Sequence, residues 1–254
     1  MALHFEVVTL FPELVRQALR FGVVGRAVER GLAVVGTVDP RDFTRDAHRT
    51  VDDRPYGGGP GMVMKPEPLW AAIAAARARA PAGTPVVYMS AQGRVFDQRA
   101  AQSLAASAGA VLLAGRYEGV DQRLVDAAVD EEWSIGDYVL SGGELPALVV
   151  IDAAVRLVPG ALGDDASSVE ESFGDGLLDW PHYTRPEAWE ARRVPEVLAG
   201  GNHAAIARWR LKEALGRTWL RRPELIGRRG LTETERRLLD EYCAEAGIAP
   251  PGAG

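Results

Sequence analysis

The stretch Ser134-Ile-Gly-Asp-Tyr-Val-Leu-Ser-Gly-Gly-Glu-Leu-Pro-Ala-Leu148 constrains this chain more than any other. It reads as a buried strand that runs into Gly142-Gly143 and then into a helix with Pro146 in its first turn. Adjacent glycines admit φ > 0 and let the main chain come close to a bound molecule, and proline suits the start of a helix. An ordinary tight turn uses the same residues. What favours a ligand is a second loop of the same build. The apolar run Ala110-Val-Leu-Leu-Ala114 reads as a buried strand that ends in Gly115-Arg-Tyr-Glu-Gly119, before another helical segment. In open α/β sheets ligands sit beyond the carboxyl ends of the strands, where both loops would lie. Neither loop has the spacing of a dinucleotide fingerprint or a P-loop, and Arg54-Pro-Tyr-Gly-Gly-Gly-Pro-Gly61 lacks the Lys-Ser/Thr that would complete a P-loop.

The rest of the N-terminal part alternates in the same way. Segments 5–10, 34–38, 85–89 and 111–113 read as strands, and 12–30, 66–80, 97–108 and 144–158 as helices. Alternation of this kind predicts an α/β fold with a parallel sheet covered by helices on both faces. From about Gly160 the pattern changes to a Gly-, Ser- and acid-rich stretch without apolar period, and beyond it only helical patterns follow. Asn202 is placed to cap a helix over 203–215 that Gly216 would end, and Thr232 with Glu235 makes a capping box for the last one. The expected organisation is an α/β domain over 1–160, a flexible acidic linker over 161–176 and a smaller all-helical domain over 177–254.

Composition narrows the function. With 254 residues, 47% of them hydrophobic, the chain can bury a substantial core, and no apolar run approaches the roughly 18 residues a membrane span requires. No secretory signal pattern is present, which points to the cytoplasm. The single Cys243 excludes an internal disulfide, and the four histidines are scattered without ligand spacing. Cys243 falls with Leu238, Leu239 and Tyr242 at helical spacing, as a packing residue would. The net charge of −6 hides an asymmetry, because residues 181–230 hold 11 Arg or Lys against 5 Glu. A basic footprint for a nucleic-acid partner is therefore confined to the C-terminal part.

Three of these segments, 50–61, 115–119 and 133–146, together with Leu10-Phe11-Pro12-Glu13 and Pro181-His-Tyr-Thr-Arg-Pro186, closely resemble the bacterial tRNA (guanine-N1)-methyltransferase family over nearly the whole chain. The resemblance implies methylation of N1 of guanine at tRNA position 37, just 3′ of the anticodon, with S-adenosylmethionine as methyl donor. It also implies a deep trefoil knot around the donor site and a homodimer whose active site is shared between subunits.

That chemistry has plain requirements. N1 of guanine is a poor nucleophile until its proton leaves, so a base is needed near N1 and a cation or donor near O6, with both reactants aligned. Arg156, in an otherwise almost apolar helix, is the cation candidate; an i,i+4 pair with Asp152 would account for it equally well from the sequence alone. The family's catalytic arginine falls on Arg156. Its catalytic aspartate falls on Glu171, a departure from the family pattern, with Glu170, Asp175 and Asp179 as rival bases. The resemblance further assigns Ala91, Gly115, Tyr117, Glu118, Ile135, Gly136, Tyr138, Leu140, Gly142 and Pro146 to the donor pocket. Ala91 stands where the family usually has proline, and Glu118 is also the candidate for a Mg²⁺ ion. Arg54 and the loop Gly57-Gly58-Gly59 would face the RNA, and Arg185, Arg208 and Arg217 are candidates for its phosphates. Two other readings fit parts of the pattern: an RNA-binding module of the same fold without transfer activity, and an enzyme that holds a phosphorylated ligand in the glycine loops.

Overall fold

A computed structural model describes residues 2–163 and 171–250. The chain divides into two compact units, residues 1–165 and 166–254, each with an apolar core of its own.

The first unit begins with β1 (Leu3–Val8), α1 (Pro12–Ala18), α2 (Gly22–Glu29) and β2 (Ala33–Val38). A short ribbon of β3 (Asp52–Asp53) and β4 (Val63–Met64) leads to α3 (Pro66–Arg79). Then come β5 (Val86–Val95), α4 (Gln98–Ala105), β6 (Gly109–Leu113), α5 (Gln122–Ala128), β7 (Glu131–Ser134) and α6 (Glu144–Val155). Five strands form one parallel sheet in the order β2-β1-β6-β5-β7. β6 is buried along its whole length, which is why Ala110–Leu113 reads as an unbroken apolar run. Leu3, Phe5 and Val7 face α1, α2, α4 and α6, while Val8 faces α3 and α5 on the opposite side.

Three local expectations change. The helix expected over 12–30 is two helices, because Gly22 takes φ +69° where the second begins, a left-handed turn that glycine makes without steric cost. The strand expected to run into Gly142 stops at Ser134, and residues 135–143 form a loop beyond the sheet edge. Gly142 and Gly143 are not among the positive-φ glycines, so close packing rather than a left-handed turn demands them. A Cβ on Gly143 would stand 2.7 Å from Ala114 Cα.

The second unit contains a ribbon of β8 (Ala188–Trp189) and β9 (Arg192–Arg193), the short α7 (Glu196–Ala199), then α8 (His203–Arg221), α9 (Pro223–Arg229) and α10 (Glu233–Ala246). The ribbon is an addition to the helices the sequence predicts. Asn202 caps α8, its side chain accepting from Ala205 N at 3.1 Å, and Thr232 and Glu235 form the expected capping box. Gly216, however, does not end α8. It lies under the Tyr242 ring, where a side chain would collide, so its smallness lets α8 and α10 pack closely. Cys243 is buried with Leu238 and Leu239 in this core.

Candidate methyl-donor cavity

The site grows out of the carboxyl ends of β5, β6 and β7. β5 carries an irregularity: Met89 and Arg94 both pair with Trp133, so residues 90–93 leave the ladder between them. Bulges of this kind re-aim the chain next to a site. The loop after β6 turns through Tyr117, at φ 60°, and Gly119, at φ 131°. It is joined to the loop after β7 by a hydrogen bond from Gly143 N to Gly115 O at 2.9 Å and by an antiparallel bridge between Arg116 and Gly142.

Between these loops lies a cavity of about 190 Å³. All ten donor-pocket candidates line it: Ala91 from the β5 bulge, Gly115, Tyr117 and Glu118 from the β6 loop, and Ile135, Gly136, Tyr138, Leu140, Gly142 and Pro146 from the β7 loop and α6. Tyr88, Arg116 and Trp133 also line it and were not singled out from the sequence. Tyr88 stands at the end of a predicted strand, and Arg116 and Trp133 lie within the motif segments 115–119 and 133–146. The cradle is tight. A Cβ on Gly115 would come within 2.8 Å of the Tyr88 ring, and one on Gly142 would overlap the Arg116 side chain. Burial pushes the Tyr88 phenol up from its ordinary pKa, and burial with the nearby Asp52 carboxylate does the same to Tyr117. Neither phenol is ionised near neutrality.

Glu118 donates its amide to Met62 O at 2.9 Å, and its carboxylate packs over Gly61, where a Cβ would intrude. Among the described residues no three His, Cys, Asp or Glu side chains come together as a metal site, at Glu118 or elsewhere. Arg54 and Gly57–Gly59 lie between β3 and β4, outside the cavity lining, and the three glycines have φ of 87°, 79° and 114°. Backbone bonds from Glu118 N to Met62 O and from Met64 N to Gly119 O fasten this segment to the cavity loop.

Arg156 ends α6 as its C-cap, its amide donating to Asp152 O at 3.2 Å. It lines a broad depression that shares Ile135, Tyr138 and Leu140 with the cavity. Glu171, Asp175 and Asp179 line one pocket of the second unit, with Trp180 and Arg210. The rival base Glu170 lies outside the described residues. The stretch from Glu171 is packed on its unit: Gly174 N donates to Glu171 O at 3.1 Å, Arg229 Nε to Asp175 O at 2.6 Å, and Leu178 N to Thr218 Oγ1 at 2.9 Å.

The basic footprint is only partly available. Arg208 is held by both carboxylate oxygens of Glu241, which lowers the Glu241 pKa, and Lys212 is buried against Glu245 at 2.7 Å. Arg185 is exposed and Arg217 half-buried, and neither has an ion-pair partner among the described residues. No helix among those residues is long and apolar enough to cross a membrane.

Comparison with known proteins matches this architecture to one family. Residues 3–228 match the family model described as tRNA (Guanine-1)-methyltransferase TrmD. The tRNA (guanine-N(1)-)-methyltransferase of Methylococcus capsulatus is 62% identical over 243 residues, covering 96% of this chain and 97% of the relative. That of Halorhodospira halophila is 62% identical over 95% of this chain and 92% of its own length, and that of Chromohalobacter salexigens 60% identical over 94% and 92%. With a parallel sheet whose glycine loops close on one cavity, and identity of this order along almost its full length, the chain belongs to the tRNA (guanine-1)-methyltransferase family.

Proposed function

We propose that this chain methylates N1 of the guanine at tRNA position 37, with S-adenosylmethionine seated in the cavity between the β6 and β7 loops. Methylation of a tRNA guanine at N1 is the activity of its family. The observation that carries the cavity's assignment is that ten residues from three separate segments converge on it, all at the carboxyl ends of parallel strands. The glycine cradle suits a ligand read through main-chain groups, since any Cβ at Gly115, Gly142 or Gly143 would meet neighbouring atoms. When bound, the donor supplies a sulfonium-activated methyl group.

The chain's own residues supply the rest. Glu171 takes the N1 proton as the ring nitrogen becomes a nucleophile, and Arg156 offsets the negative charge that gathers on O6. The resemblance implies that the two meet in an active site shared by two subunits of a homodimer. The apolar side chains Leu145 and Val149, exposed on α6 beside the Arg156 depression, favour the same arrangement. The trefoil knot around the cavity rests on the family resemblance, and the bond from Gly143 N to Gly115 O joins the two loops that would take part in it. The second unit binds the tRNA, with Arg185 and Arg217 on phosphates, and Arg54 and the Gly57–Gly59 loop face the RNA from the first. Glu118 belongs to no group of three metal-ligating side chains among the described residues, and no step here runs through Mg²⁺. The reading puts the enzyme in the cytoplasm with its substrate.

Transfer of labelled methyl to matched tRNA transcripts bearing G or A at position 37 tests the proposal. Label in the G37 transcript alone is expected. Equal label in both would move the target elsewhere, and none in either would leave an RNA-binding module.

A further inference from the structure

We propose that Glu144 is a positioning residue for the methyl-donor cavity: its buried carboxylate, acting through Arg116, fixes the spacing of the two glycine loops. This rests on the cavity's reading as the donor site.

Glu144 opens α6 and is 1% exposed, a burial that a lone carboxylate tolerates poorly. Its Oε1 accepts from Thr9 Oγ1 at 2.8 Å, and its Oε2 from Arg116 Nε at 2.9 Å. Arg116 in turn donates from a terminal nitrogen to Ser141 O at 3.1 Å, and its guanidinium lies 4.4 Å from the centre of the Phe11 ring. Phe11 N donates to Thr9 Oγ1 at 2.9 Å. One carboxylate therefore gathers the loops after β1, β6 and β7, which leave the sheet at separate strands. Arg116 and Ser141 line the cavity while Glu144 does not, so Glu144 acts on the ligand only through them. The rest of α6 is almost wholly apolar, and an aliphatic side chain would satisfy packing there. A charge at this one position also benefits from the helix N-terminus. Gly142 belongs to the same device, because a side chain on it would occupy the space of the Arg116 guanidinium.

The test uses the full chain with S-adenosylmethionine and a G37 transcript. Glu144→Gln keeps the size and removes the charge, leaving Arg116 without its counter-ion. Donor Kd by calorimetry should weaken by about 10- to 100-fold, the scale on which partners of ligand-holding side chains act. Transcript affinity should hold, and KM for the donor should rise more than kcat falls. Glu144→Gln with Arg116→Gln sets amide against amide and removes both buried charges, and should recover donor affinity relative to the single variant. Should Glu144→Gln prove too unstable to assay, Thr9→Val removes one bond to the same carboxylate with little change in size, and should move Kd the same way by a smaller factor. Wild-type donor affinity in Glu144→Gln, or in Thr9→Val where that variant has to replace it, overturns the proposal. So does a double variant no better than the single, or loss of active fraction at unchanged KM. Failure of the unsubstituted chain to bind the donor is a separate result, which sinks the cavity's assignment instead.

Discussion

The two units are held together by different means. In the first, two apolar layers cover the sheet, and the candidate site is shaped largely by main chain, with Gly115, Gly119, Gly136, Gly142 and Gly143 in its lining. In the second, a core of Leu177, Ala214, Leu215, Ile226, Leu238, Leu239 and Cys243 is supplemented by ion pairs that tie its helices and the 171–179 segment together. The arginines and lysines that look from the sequence like an RNA surface are thus partly engaged in folding. Backbone geometry tolerates changes of pH and salt but not added volume. Charge pairing responds in the opposite way.

The largest expected effects test whether chemistry needs both units. Glu171→Gln should keep donor and tRNA binding and lower single-turnover methylation by roughly 10²–10⁴-fold, the usual worth of a positioned base. Arg156→Ala should fall by about 10²–10³-fold if the guanidinium holds O6 charge. Full activity in Glu171→Gln would remove this residue from the mechanism and pass the proton to Asp175 or Asp179. Glu171→Asp is a finer probe. A mobile segment would absorb the shorter reach and stay within about tenfold of wild type, whereas a rigid one would lose on the order of 10²-fold for a misplacement of ~1 Å.

Volume should break the first unit's site next. Gly143→Ala places a Cβ against the Ala114 main chain and should cost about 1–3 kcal/mol of stability in thermal unfolding, along with donor affinity. Gly163→Ala, with open space around it, is the control that should change neither. A Gly143 variant with full donor affinity would show that the cradle is looser than its packing suggests.

Acid should break the second unit selectively. A hydrogen bond from Arg229, together with the capping contacts of Thr232, holds the Glu235 carboxyl down to about 2 from an unfolded value near 4.5. A depressed carboxyl contributes stability that is fully present above about 4.5 and is lost as pH falls towards 2. Glu235→Gln should cost about 1–3 kcal/mol near neutrality and flatten that acid limb in circular dichroism melts. An unchanged limb would mean the pairing adds nothing to folding. The smallest effect separates free from engaged arginines. Arg217→Ala should lower the salt slope of tRNA binding by about 0.7–0.9, one phosphate contact, with donor affinity unchanged. Arg208→Ala should lower it less, because Glu241 already holds that side chain. Equal slopes for the two would remove the distinction.

What was legible in the sequence was local. The buried run of β6, the proline-started α3, the Asn202 cap and the Thr232–Glu235 box each depend on residues a few positions apart. What was hidden depends on partners far along the chain. β7 begins with Glu131 and Glu132 at a sheet edge, so the apolar signal in the sequence, from Ser134 towards Gly142, falls after the strand itself. Gly216 looked like a helix end because its neighbour is the Tyr242 ring, and Arg208 looked available because Glu241 lies 33 residues on. The donor-pocket residues were named by resemblance, and their convergence needed the fold; Arg116 and Glu144 could be recognised only when three loops met.

The glycine cradle has a consequence for any compound designed to compete for the cavity. Main-chain amides and carbonyls present the same groups to a ligand whichever side chains are exchanged around them. Resistance by substitution within the cradle would have to pass through its glycines, and at Gly115, Gly142 and Gly143 any new side chain runs into Tyr88, Arg116 or the Ala114 main chain before it reaches the inhibitor. The same crowding that shapes the site closes the shortest mutational exits from it.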